Sequence, residues 1–126
     1  MNKTISAGIL IVIAVAGTII WLNQSAKSPT TSEAPTQIIA ITGTNFVFSP
    51  AEIGVKKGDS IKIVLTNAGT YPHDLVIDEL GVRTPVINSG ETTEISFIAD
   101  KIGEFEYYCS VNSHRDKGMV GKFIIE

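Results

Sequence analysis

The sequence predicts an all-β fold, a β-sandwich of seven to eight strands, for most of its length. Two observations carry that reading. Beyond Gln37 the apolar residues alternate with polar ones or gather in short runs. Gly, Pro, Asn and Asp bound those runs, and no long helical period interrupts them. Short alternating runs separated by turn residues are the signature of antiparallel sandwiches and barrels.

The chain opens differently. Residues 1–3 carry one lysine, and residues 5–22 then read ISAGILIVIAVAGTIIWL, 18 residues without a charge. As a helix this run would span about 27 Å, close to the roughly 30 Å hydrocarbon core of a bilayer. Trp21 stands at its far end, where an interfacial aromatic belongs. Residues 1–22 are therefore expected to be a signal anchor or a signal peptide, with a transmembrane helix over 5–22. The run is longer than the apolar region of an ordinary signal peptide, and cleavage after Ala16 would leave Ile19, Ile20 and Trp21 on the mature N-terminus. An uncleaved anchor is the favoured form. Lys3 and the free amino group favour a cytoplasmic N-terminus, which puts the remainder outside the cytoplasm, in a periplasm or at the cell exterior. Cleavage would make the protein secreted. Residues 23–36, NQSAKSPTTSEAPT, are rich in Ser, Thr and Pro and predict a flexible linker.

Residues 37–126 then form the domain, 90 residues and enough for a small core. The predicted strands cover 37–42, 51–55, 60–67, 73–78, 92–98, 104–109 and 118–125. In the third, Ile61, Ile63 and Leu65 share one face while Lys62, Val64 and Thr66 share the other. Ile95 and Phe97 repeat the alternation, extended by Ala99. Phe105 and Tyr107 lie on one face with Cys109, so Tyr107 and Tyr108 should point to opposite sides. Lys57-Gly58-Asp59, Asn67-Ala68-Gly69 and Asn88-Ser89-Gly90 are turn signals. The loop over 111–117 is the place for a stray helical turn.

Composition narrows the function. The segment before Gln37 holds two lysines and one glutamate, so the 10 basic and 13 acidic residues of the chain leave 8 and 12 in the domain, a formal charge of −4. A mildly acidic domain has no electrostatic reason to bind nucleic acid. The single cysteine cannot form an internal disulfide, and a lone thiol outside the cytoplasm calls for another explanation.

Metal ligation supplies one. The stretch from Cys109 to Met119 holds the only cysteine, one of two histidines and the domain's only methionine. The other histidine is His73. A trigonal His₂Cys set with a weak axial Met is the geometry of blue-copper electron-transfer sites. His73, Cys109, His114 and Met119 are accordingly the candidate ligands of one mononuclear type 1 copper ion. Cys109 ends one predicted strand and Met119 begins the last, so the loop between them can fold back and bring three donors to one end of the sandwich. Asp74 and Ser110, each following a ligand, could hydrogen-bond across the site and tie the two loops together.

These residues resemble the cupredoxins, the blue-copper family of plastocyanin, azurin, amicyanin and rusticyanin. The similarity covers roughly 38–126 and is strongest in Tyr71-Pro72-His73-Asp74, in Tyr107-Tyr108-Cys109-Ser110-Val111 and in His114-x3-Gly118-Met119-Val120-Gly121. The Cys-x4-His-x4-Met loop has a length like that of rusticyanin. The resemblance implies a Greek-key sandwich of eight strands and one-electron Cu(II)/Cu(I) cycling. It gives His73 and His114 the role of imidazole ligands, Cys109 the thiolate and Met119 the axial thioether. Two positions depart from the pattern: Asn112-Ser113 stands where many relatives have Pro-Gly, and Asp74 where many have Asn.

The expected function is an electron carrier that exchanges single electrons with redox proteins, including a membrane-bound oxidase or reductase. His114 is expected to show one ring edge to solvent, among Tyr71, Pro72 and Gly118. The alternative is a copper-handling accessory module with the same ligands. An enzyme is not expected, since both histidines are used and a Met-capped site leaves no open position for substrate. A monomer is expected.

Overall fold

The computed structural model describes residues 35–126, which form nine strands and one short 3₁₀ turn. The strands are β1 (Thr36–Thr44), β2 (Val47–Ser49), β3 (Glu52–Val55), β4 (Ser60–Asn67), β5 (Val76–Ile77), β6 (Val82–Arg83), β7 (Thr92–Ile98), β8 (Gly103–Tyr108) and β9 (Val120–Ile125). The apolar run 5–22 and nearly all of the linker 23–36 lie outside the described residues. Among the described residues no helix is long and apolar enough to cross a membrane.

Two sheets face each other, one ordered β2-β1-β4-β7 and the other β3-β9-β8-β5-β6. They are mixed, which corrects the expectation of a purely antiparallel sandwich. β1 runs parallel to β4, from Thr36↔Ser60 to Gly43↔Asn67, and β3 runs parallel to β9. Periodicity reports which face a residue occupies, and carries nothing about the direction of a distant partner.

The alternation places the core as read. Ile61, Ile63 and Leu65 of β4 are fully buried, whereas Lys62, Val64 and Thr66 are half-buried. Burying each of the three contributes about 1.5–3 kcal/mol. Phe105 and Tyr107 of β8 meet them from the opposite sheet, with Phe123 and Ile125 of β9. Ile95 and Phe97 of β7 are half-buried and pack against this core, and Ala99 is fully buried.

Four elements depart from the sequence reading, one of them β6, an unexpected two-residue strand paired antiparallel to β5. β2 is an additional strand of three residues, paired to β1 from Thr42↔Ser49 to Thr44↔Val47. The expected strand over 73–78 divides: His73 makes a single antiparallel bridge to Ile87, and the ladder proper is Val76–Ile77. Thr84 explains the break, because its hydroxyl takes the Leu75 N–H at 3.0 Å. The helical turn falls at Asp78–Leu80, while residues 112–118 form non-helical turns.

The parallel pairing has a functional result. β1 and β4 deliver their C-terminal ends side by side, and the Ala68 N–H donates to the Gly43 carbonyl at 2.8 Å. The segment that follows β4 and carries His73 is thereby held against the end of β1.

Candidate metal centre

His73 is set by a loop tied at both ends. The side-chain amide of buried Asn67 donates to the carbonyls of Tyr71 at 2.8 Å and Ile87 at 3.1 Å, and its Oδ1 accepts the Gly69 N–H at 2.9 Å. The His73 N–H donates to the Ile87 carbonyl at 3.0 Å, and the Ile87 N–H returns the bond at 2.8 Å. Asn67 thus folds the 67–73 loop as a template. The sequence marked it as a turn residue; only its full burial reveals the larger role.

Cys109 follows β8 on the inward face shared with Phe105 and Tyr107. Its N–H donates to the Met119 carbonyl at 3.1 Å, and the Met119 N–H donates to the His114 carbonyl at 3.0 Å. The His114 N–H donates to the Val111 carbonyl at 3.1 Å, and Asn112 turns the chain with a φ of +47°. The 109–119 loop therefore doubles back on its own hydrogen bonds, with Asn112-Ser113 at the turn.

The result is a convergence of donors. Cys109 Sγ lies 3.5 Å from His114 Nδ1 and 3.7 Å from His73 Nδ1. One donor atom from each of these residues lies within 4.8 Å of the others. That is about twice a metal–ligand bond of roughly 2.0–2.3 Å, so one ion fits between them. Met119 is fully buried beside them. A Cβ built on Gly43 of β1 would meet Met119 Cε at 3.3 Å and His73 Cδ2 at 3.7 Å, so both side chains close on one point of β1. All four sequence-predicted ligands thus belong to one cluster.

Its electrostatics suit metal binding. Burial lowers the His73 pKa, and the neighbouring His114 lowers it further against the opposing pull of Asp74. Burial also lowers the His114 pKa, with Lys117 adding to the effect and Asp74 opposing it. Both imidazoles are thus held toward the neutral form that offers a lone pair. Burial pushes the Cys109 thiol up, so binding a metal as thiolate releases a proton.

Asp74 and Ser110 do meet. Ser110 donates its N–H to Asp74 Oδ1 at 2.6 Å and its hydroxyl to Oδ2 at 2.5 Å. Arg83, a residue the sequence did not single out, donates to Ser110 Oγ at 3.2 Å and lies 3.6 Å from Asp74 Oδ2.

The expected solvent-facing edge of His114 is narrow: the residue is only 4% exposed, and its Nε2 is the ring atom left open rather than buried. Phe46, at the β1–β2 turn, lies edge-on to the His114 ring with centroids 4.9 Å apart, and Tyr71 lies at 6.1 Å. Tyr71 stands near the imidazole as the sequence predicts; Phe46 is a neighbour the sequence does not predict.

Known proteins agree with this geometry. The match to the family described as "Cupredoxin-like domain" runs over residues 10–125. A chloroplastic plastocyanin of Tetradesmus obliquus is 35% identical over 91 residues, 64% of this chain and 59% of that protein. A copper-resistant cuproprotein CopI of Rubrivivax gelatinosus is 28% identical over 100 residues, 62% of this chain and 59% of that protein. The chain thus spans about three fifths of the length of these curated relatives. Among solved structures, the reduced auracyanin of Roseiflexus castenholzii superposes with a TM-score of 0.66 at 20% identity, covering 74% of this chain and 98% of the other. With two mixed sheets, a His-Cys-His-Met cluster at one end and a family match across nearly its whole length, this chain belongs to the cupredoxin-like domain family.

Proposed function

We propose that the protein is a carrier of single electrons, built on one type 1 copper ion held by His73, Cys109, His114 and Met119. The bound copper supplies the one-electron exchange between Cu(II) and Cu(I). The protein's part is to hold the donors in one arrangement through both states. The observation that carries the proposal is the burial of a preformed site: His73, Cys109 and Met119 are fully buried and His114 nearly so. Strands and cross-loop hydrogen bonds fix all four. A donor set that cannot move keeps reorganisation on electron transfer small.

The copper-handling reading shares these ligands, and the likeness to a copper-resistant cuproprotein favours keeping it in view. Burial weighs against it, because a module that passes copper on must let an acceptor reach the ion. Catalysis is disfavoured by residue supply: the two histidines of these 126 residues both stand in this cluster, and none is left for a further histidine-built centre.

The working place proposed is outside the cytoplasm, with the 5–22 segment as a membrane tether and redox proteins as partners, including a membrane-bound oxidase or reductase. The apolar run and the survival of an unpaired thiol support that placement.

Loading the purified protein with Cu(II) should give an intense blue band from thiolate-to-copper charge transfer, absent in Cys109→Ser. A colourless parent protein refutes the copper–thiolate site. Voltammetry of the blue form should show a reversible one-electron wave. Release of copper on reduction would favour the copper-handling reading instead.

A further inference from the structure

The residue that covers His114 is also the one described aromatic residue in a conformation that L side chains avoid. Phe46 has a φ of +68°. It occupies the second position of the Asn45-Phe46 turn between β1 and β2, where the Thr44↔Val47 pair closes the hairpin. A positive φ at that position ordinarily selects Gly or Asn. A bulky residue there is an outlier that the surroundings must hold in place.

Those surroundings are the metal centre. The Phe46 ring stacks on Tyr71, with centroids 5.7 Å apart and planes inclined by 24°. It meets His114 edge-on at 4.9 Å and 65°. Lys117, three residues beyond His114, places its Nζ 4.3 Å from the centroid of the same ring. One side chain is thus gripped by the loop that leads to His73 and by the loop that bears His114. Tyr71 itself is 51% exposed, so Phe46 is the part of the pair turned toward the imidazole.

We infer that Phe46 is a positioning residue of the metal centre: an aromatic cover along one side of His114 that narrows the approach of water and small ligands to the ring and holds its plane. Glycine or asparagine would suit the turn yet leave that side of the imidazole open. The inference rests on His114 being a ligand, as proposed above, and its test is independent of the blue band.

The test compares the full-length metal-free protein with Phe46→Gly, Phe46→Asn and Phe46→Tyr. Diethyl pyrocarbonate is the probe, and the rates of modification of His114 and His73 are followed by mass spectrometry. Gly and Asn both tolerate a positive φ, so these variants remove the cover without adding backbone strain. In each of them His114 should react at least about tenfold faster, while fully buried His73 stays slow. Phe46→Tyr should keep the parent rate. In the copper-loaded forms, added azide should shift the visible spectrum of the Gly and Asn variants and leave the parent unchanged. Equal His114 rates in parent and folded variants overturn the inference. So does a parallel rise at His73, which would mean a general loosening of the fold. If Phe46→Gly fails to fold, Phe46→Asn decides by the same readout. A parent protein with no blue band but with the His114 effect intact would remove the copper–thiolate site and leave the cover standing.

Discussion

Asp74 and Ser110, 36 positions apart, are joined by two hydrogen bonds that clamp the loop after His73 to the loop after Cys109. The carboxylate is almost wholly buried, and its cationic neighbour Arg83 is 58% exposed. An anion held beside the centre and only partly offset by a solvated guanidinium favours the more positive Cu(II) state. Asp74→Asn should therefore raise the midpoint potential. At an effective dielectric of about 20, a charge at this kind of range is worth about 1–2 kcal/mol, on the order of 50–100 mV. The amide keeps an acceptor for the Ser110 N–H, so the clamp should survive. Voltammetry of parent and variant decides it: an unchanged or lower potential sinks the idea.

Gly69 makes the second prediction. A Cβ there would stand 2.7 Å from Asn45 Oδ1, 3.0 Å from His73 Nε2 and 3.0 Å from the Thr44 carbonyl carbon. The last is backbone and cannot swing aside, so the imidazole has to give. His73 Nε2 has no hydrogen-bond partner among the described residues to hold it against that push. Gly69→Ala should weaken copper retention by about 10–100-fold, the range seen when support of a metal-bound histidine is lost. A competition titration against a chelator measures this. Retention equal to the parent, with the fold intact, would show that the imidazole is held by something other than Gly69.

How far the molecule could be read in advance depends on the range of the interactions. β4 and β8 were legible because alternation is local: Ile61, Ile63 and Leu65, and then Phe105, Tyr107 and Cys109, face inward as written. The clustering of His73, Cys109, His114 and Met119 was legible because the domain offers few other soft donors. The segment 73–77 misled because it is buried at every position, so it shows no period, and Thr84 takes a bond that a ladder would have used. The parallel partnership of β1 with β4 joins residues 24 positions apart, and no local pattern encodes it. Phe46 was illegible for a different reason. A phenylalanine does not announce a turn, and its position over His114 exists only once the two loops meet.

Tyr107 offers a prediction about stability. Its ring is fully buried, its hydroxyl donates to the Pro50 carbonyl, and Gly121 across the β8–β9 ladder leaves the space it needs. Burial pushes its pKa up to about 12, against about 10 in an unfolded chain. Below the unfolded value both states keep the proton and the folded protein has its full stability. As pH rises beyond about 10 the unfolded state sheds the proton first and is favoured, until the folded state follows near 12. Two pH units at about 1.36 kcal/mol each give a loss of about 2–3 kcal/mol from this one group. Tyr107→Phe removes that part of the alkaline slope, although it starts from lower stability because the Pro50 carbonyl loses its donor. Urea unfolding at about pH 8 and about pH 11.5 should show the parent losing more stability than the variant over that interval. Every other group is the same in both proteins and cancels in the comparison, so equal losses would mean that the Tyr107 phenol is not held neutral by the fold.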